Sequence, residues 1–185
     1  MFDAAARRLI DPPLNLLARY VAKTGIPANA LTFTGFALGL GVLVALALRE
    51  YMWALGLIVG NRVLDGLDGA VARRTGITDL GGYFDTVGDF IFFGAVVLGF
   101  ALADPAANAL AASFLLFSFM GTEASVLAYA ALAEKHGFRT ERYGTKSIYY
   151  LGGLVGATET FGVYVLACFF PAWFPVIAAT FGVLC

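Results

Sequence analysis

The sequence predicts an all-α integral membrane protein: six transmembrane helices preceded by an amphipathic helix that lies along the membrane. Three observations carry this. Of 185 residues, 60% are hydrophobic and 14% charged, against roughly 25% charged in a soluble domain. The mean hydropathy is +0.81. Apolar runs recur along the chain, separated by short polar or proline-bearing stretches. A hydrocarbon core about 30 Å thick needs about 20 apolar residues per helix, so the length allows five or six spans and no separate soluble domain. Residues 1–185 therefore read as one membrane domain, with 1–29 a juxtamembrane segment and 30–185 a helical bundle.

In chain order, the first segment holds Arg7, Arg8, Arg19, Lys23 and the pair Pro12-Pro13 without a continuous apolar stretch. It does not look like a cleavable leader. Leu14, Leu17 and Val21 recur at helical spacing beside Arg19 and Lys23, the pattern of a helix in the headgroup region, with an ordinary surface helix as the alternative. Apolar runs follow at residues 30–48, 51–72, 83–103, 107–133, 148–169 and 172–185. The last is too short to cross the bilayer core, so the helix, or the chain, is expected to be incomplete at Cys185. The pairs Gly35 with Gly39 and Gly152 with Gly156 suit close packing inside the bundle or across a homodimer, the assembly expected here.

Ten of the twelve basic residues fall in the N-terminal segment, at Arg73 and Arg74, or between Lys135 and Lys146. Arg49 faces the other side and Arg62 lies inside a span. Positive-inside bias then places these stretches, and the turn between the second and third runs, in the cytoplasm. No nucleic-acid partner is expected. Cys168 and Cys185 sit in apolar surroundings without metal-ligand spacing, which argues against a disulfide framework or a zinc site. His136 stands alone and receives no role.

The chemistry is concentrated between Asn61 and Phe90, where Asp65, Asp68, Asp85 and Asp89 lie inside or at the edge of two apolar runs. An aspartate at a helix centre costs about 2.5–3.5 kcal/mol on insertion scales, so four together need a compensating cation. Spacings of three and four put each pair on one helix face. A short turn carrying Gly76, Gly81 and Gly82 suits a hairpin that brings the two faces to one depth. Oxygen ligands without histidine or thiolate favour a hard cation, and Mg²⁺ or Mn²⁺ fits best. Pairing with Arg62, Arg73 and Arg74 alone is the structural alternative. Gly69 and Ala72 share the face of Asp65 and Asp68 and leave room for a sugar or phosphate, and Arg73 can reach a phosphate as a fixed charge.

Asp65, Asp68, Gly69, Ala72, Arg73, Gly81, Asp85 and Asp89 together resemble the signature of the CDP-alcohol phosphatidyltransferase family. That signature reads D-x-x-D-G-x-x-A-R, a short spacer, then G-x-x-x-D-x-x-x-D. The spacer here is seven residues where eight is commoner, which predicts a tighter turn. PANALTFTGF, from Pro27 to Phe36, is similar to the family element P-N-x-L-T-x-x-G. The resemblance implies that Asp65, Asp68 and Asp85 bind divalent metal, two ions in all, and that Asp89 serves both metal coordination and activation of the acceptor hydroxyl. It also implies that Asn29 and Thr32, with Asp65, Gly69, Ala72, Arg73 and Gly81, lie against the nucleotide. The donor would be CDP-diacylglycerol or another CDP-alcohol, the product a phospholipid and CMP. HGFRTERYGTKSIYYLGGL and ATETFGVYVLACFFPAWF look most like a small bacterial inner-membrane branch of the family.

The acceptor is less marked. Lys135, Arg139, Arg142 and Lys146 could meet an anionic acceptor at the cytoplasmic mouth, or form an ordinary positive-inside loop. Glu123 and Glu159, each after a threonine inside an apolar run, could line an acceptor pocket or bond between helices. Candidate acceptor residues are thus Glu123, Arg142, Lys146 and Glu159, for glycerol phosphate, serine, inositol or its phosphate, or phosphatidylglycerol. Two competing classes are an intramembrane cation transporter and a catalytically idle nucleotide-binding scaffold. A transporter needs acids along a path through both leaflets, whereas these cluster beside Gly69 and Arg73.

Overall fold

A computed structural model describes residues 3–136 and 156–185, with side chains from Ile10 onward. The described residues form helices α1 (Asp3–Thr24), α2 (Ala28–Ala47), α3 (Tyr51–Thr75), α4 (Asp79–Ala103), α5 (Pro105–Lys135), α6 (Ala157–Phe169) and α7 (Phe174–Leu184), with a 3₁₀ turn at Pro171–Trp173. Of the residues singled out from the sequence, Arg139, Arg142, Lys146 and Gly152 lie outside the described residues, and Arg7 and Arg8 lie in α1 ahead of the first described side chain.

Helix boundaries follow local chemistry. Thr78 caps α4 by accepting a bond from the Gly81 N–H at 3.1 Å. Asp104 caps α5 through the Ala107 N–H at 3.2 Å, with Pro105 in the first turn, where a missing N–H costs nothing. Between α2 and α3, Arg49 adopts φ 64°, and its Nε donates to the Ala103 carbonyl at 2.8 Å, tying that turn to the end of α4. At the other end, Gly76 closes α3 at φ 122°, a region that glycine enters without strain. Only Gly76 of the three predicted turn glycines serves the turn. Gly81 and Gly82 fall in the first turn of α4, because the Thr78 cap starts that helix early.

The bundle is built on α2, α3 and α4. Gly35, Gly39, Val42 and Leu46 form the buried stripe of α2, at the i, i+4, i+7 spacing of one helix face. Gly39 leaves room for Phe92, whose Cδ2 would lie 3.2 Å from an added Cβ. Gly35 and Gly39 therefore pack within the bundle. The main core joins Val42, Leu46, Ile58, Val96, Phe100 and Leu115 to Tyr164, Phe174 and Phe181, with the Phe100 and Phe174 rings stacked at 4.4 Å. A smaller cluster seats α1 on α3 through Leu14, Ala18, Leu67, Ala70 and Val71. Of the predicted apolar stripe on α1, Leu14 and Val21 pack inward, whereas Leu17 is exposed and Ala18 takes the buried place.

Close approach of α2 to α4 yields a stability prediction. A Cβ on Gly99 would stand 2.7 Å from the Leu46 Cβ and 3.2 Å from the Leu43 carbonyl. Gly99→Ala is expected to cost about 1–3 kcal/mol by overpacking, read as a lowered melting temperature in detergent.

Among the described residues, α2, α4 and α5 are long and apolar enough to cross a membrane, and α6 with α7 adds a fourth if that pair, bent by 117°, is one span. The sequence predicted six. The 25-residue α3 is as long as α4, but Arg62, Asp65, Asp68, Arg73 and Arg74 lower its apolar character. The last two predicted runs meet at Phe170-Pro171, where proline removes a helix donor and restricts the residue before it. Large apolar side chains such as Phe33, Val44, Met52, Leu110, Phe117 and Val183 are exposed around the bundle, as a lipid-facing surface requires.

Candidate active site

The carboxylates gather where α3 descends towards its C-terminus and α4 leaves its N-terminus. At 1.5 Å per residue, they lie roughly 9–15 Å inward from the α3–α4 turn. Asp65, Asp68 and Asp85 each offer an oxygen within 4.8 Å of the others. Asp68 is 4% exposed, and its Oδ2 lies 2.6 Å from the Thr32 hydroxyl of α2, which donates to it. A cleft opens over these groups, lined also by Gly35, Phe36, Asn61, Phe84 and Gly88. Three carboxylates with no nitrogen or sulfur donor among them fit a hard divalent cation and can hold one.

Asp89 is placed differently. Its Oδ1 accepts a bond from Arg62 Nη2 at 2.8 Å, while Arg62 Nη1 stands 3.6 Å from Asp65 Oδ2. Asn61 Oδ1 accepts from Arg62 Nε at 2.9 Å and Nη2 at 2.7 Å. Asn61 in turn donates to the Gly35 carbonyl at 2.8 Å. The guanidinium carbon lies 4.5 Å from the Phe92 ring centroid, within cation–π range. The compensating cation at these acids is thus a protein group deep in the bundle. Arg73 and Arg74, offered by the sequence as partners, are exposed at the end of α3, where Arg74 reaches the Asn15 carbonyl at 3.5 Å.

The model of the CDP-alcohol phosphatidyltransferase family matches residues 26–184. The chain belongs to that family. It is a membrane phosphotransferase of the CDP-alcohol type. It is 50% identical over 185 residues to "Inner membrane protein YnjF" of Escherichia coli (strain K12), spanning all of this chain and 90% of that protein. An archaetidylinositol phosphate synthase of Pyrococcus horikoshii is 32% identical over 97 residues, 52% of each chain. The crystal structure of Mycobacterium tuberculosis phosphatidylinositol phosphate synthase with CDP-DAG bound superposes with TM-score 0.68 at 22% identity, covering 92% of this chain and 86% of that one. That likeness establishes the fold.

Within the family frame, the signature positions fall as follows. Asp65, Asp68, Asp85 and Asp89 all line the cleft, with Thr32. Asn29 meets Gly81, where an added Cβ would lie 3.4 Å from Asn29 Oδ1 and 3.0 Å from Thr78 Oγ1. Gly69 lies beneath Arg73, whose Nη1 would stand 3.4 Å from an added Cβ. Gly69, Ala72, Arg73 and Gly81 are outside the cleft lining, between it and the α3–α4 turn. Glu123 of α5 is half-buried and within electrostatic reach of Asp89. Glu159 instead accepts the Gly156 N–H at 3.1 Å and caps α6. Sequence reading passed over Asn61 as a site residue and saw Arg62 only as a possible counter-charge. The spacing Arg62-x-x-Asp65, which puts a cation on the acidic face of the same helix, was the available signal.

Proposed function

We propose that this chain transfers a phosphatidyl group from CDP-diacylglycerol to a small alcohol or phosphoalcohol, releasing CMP, at the cytoplasmic face of a bacterial inner membrane. The observation that carries this reading is the three-carboxylate cluster of Asp65, Asp68 and Asp85 beside Thr32, formed by the family signature inside an apolar bundle. In this reading residues 1–185 act as one domain, α1 rests in the headgroup layer through exposed Ile10, Leu16 and Tyr20, and a second copy completes a homodimer.

Asp65, Asp68 and Asp85 would hold Mg²⁺ or Mn²⁺, and such an ion, when bound, would supply positive charge to offset the donor's diphosphate and the departing CMP. Thr32 fixes the Asp68 carboxylate. Asn29 and Gly81, with Gly69, Ala72 and Arg73, receive the nucleotide end, where absent or small side chains let phosphate and sugar approach the backbone and Arg73 supplies a charge. Asp89 accepts the proton of the acceptor hydroxyl. The acceptor oxygen bonds to the phosphorus on the diacylglycerol side, and the bond from that phosphorus to the CMP oxygen breaks. Glu123 faces the acceptor, and Arg142 and Lys146 contribute positive charge towards an anionic one.

Thr32→Val removes the hydroxyl that orients Asp68. Hydrogen bonds to charged groups are worth about 1.5–3 kcal/mol, so divalent-ion affinity is expected to fall roughly 10- to 100-fold, as read by calorimetric titration.

The test of function is an acceptor screen. Purified protein with CDP-diacylglycerol, Mg²⁺ or Mn²⁺, and inositol phosphate, glycerol phosphate, inositol, serine or phosphatidylglycerol should form one new lipid, identified by mass spectrometry, with equimolar CMP. Inositol phosphate heads the panel because two kinds of relative carry it in their names. Absence of CMP release with every acceptor would contradict the reading. Mn²⁺ flux into liposomes without nucleotide would favour a transporter.

A further inference from the structure

The four aspartates are not equivalent. Asp65, Asp68 and Asp85 converge within 4.8 Å, a group that does not extend to Asp89, although Asp89 lines the same cleft. What sets Asp89 apart is its direct hydrogen bond from Arg62 at 2.8 Å, where Asp65 meets the same guanidinium only at 3.6 Å, and that guanidinium is held from α3 and α4. Its own helix supplies Asn61, two of whose contacts run to the guanidinium at 2.9 and 2.7 Å. Asn61 is 4% exposed and anchored to the Gly35 carbonyl of α2 at 2.8 Å. From α4 come Asp89 itself at 2.8 Å and the Phe92 ring at 4.5 Å. A planar guanidinium so clamped has little freedom to follow Asp89 elsewhere. Moving Asp89 to a metal ion would remove the closest counter-charge of a part-buried cation, which low-dielectric surroundings penalise.

We infer that Arg62 divides the acidic cluster: it holds Asp89 out of the metal's coordination shell and supplies, as a fixed charge, the cation that a second divalent ion would otherwise bring. Before donor binds, the chain therefore takes up one divalent ion, through Asp65, Asp68 and Asp85. Arg62 is a positioning residue that keeps Asp89 oriented towards the acceptor. This rests on the metal reading proposed above, and departs from the two ions that the family resemblance implies.

The ion count of donor-free protein tests it, by Mn²⁺ electron paramagnetic resonance with calorimetric titration. Wild type should bind one Mn²⁺, and Asp89→Asn should bind one with unchanged affinity. Arg62→Gln should bind two, because Asp89 is released to serve as a ligand. The double variant, Arg62→Gln with Asp89→Asn, should return to one. Gel filtration and thermal melting report whether Arg62→Gln folds; if it does not, the Asp89→Asn titration decides. Two ions in wild type, loss of the ion in Asp89→Asn, or a single ion in folded Arg62→Gln would each overturn the inference while leaving the metal reading intact. If wild type binds no ion and Asp85→Asn titrates identically, both fail together.

Discussion

Asp89→Asn is expected to lower CMP release by about 10²- to 10⁴-fold, the range spanned by general acid–base catalysis, while the bundle stays assembled. The amide is close in size to the carboxylate and still accepts a bond from Arg62 through its oxygen, so packing around Phe92 is retained. What it loses is the ability to take a proton from the acceptor. Donor binding should survive, because Asp65, Asp68 and Asp85 remain within 4.8 Å of one another. The measurement is a pair: turnover with a productive acceptor, and stabilisation against heat by CDP with Mg²⁺, which reports binding alone. Loss of turnover with preserved stabilisation assigns Asp89 to the reaction step. Loss of both would show that it belongs to the binding apparatus.

The largest effect on stability is expected at Arg62. Its side chain is 17% exposed and pairs with Asp89, itself 20% exposed. Arg62→Leu leaves Asp89 and Asp65 facing each other without a cation and strands Asn61 Oδ1. Breaking a fully buried pair from one side costs about 3–5 kcal/mol, chiefly through the charge left behind, and this part-buried pair is expected to cost up to that. Thermal melting in metal-free detergent solution should show this. A divalent ion should restore part of the loss, by binding the native state more tightly than the unfolded one. Removing the stranded charge with Asp89→Asn in the same chain should restore much of it too. An unchanged melting temperature for Arg62→Leu would mean that the pair is solvated in the membrane protein and contributes little.

Much of this was legible in the residues. Apolar runs located α2 to α5 to within a few positions, because in a bilayer hydrophobic length is dictated by thickness rather than by tertiary detail. The spacings Asp65-x-x-Asp68 and Asp85-x-x-x-Asp89 put the acids on converging faces, since helical periodicity fixes which side chains share a face. Their division into three and one was not legible. It depends on Asn61 and Phe92 gripping Arg62, contacts set by the crossing of α2, α3 and α4. Glu159 illustrates the opposite difficulty: an acid within an apolar run reads as functional, yet at the first turn of a helix it satisfies a backbone donor, Gly156 N–H. Between the apolar runs 148–169 and 172–185 the break itself was legible, at Pro171, whereas the 117° bend there was not, because it depends on how α6 and α7 pack.

Whether the carboxylates of α3 and α4 hold a divalent ion that drives phosphatidyl transfer is decided by CMP release from CDP-diacylglycerol, measured on purified wild-type protein with the acceptor panel, with added Mg²⁺ and after chelation, beside Asp68→Asn. Release should require the ion, disappear on chelation, return when Mg²⁺ is restored, and be absent in Asp68→Asn. Release that persists through chelation, or that Asp68→Asn retains in full, would contradict that role for the ion.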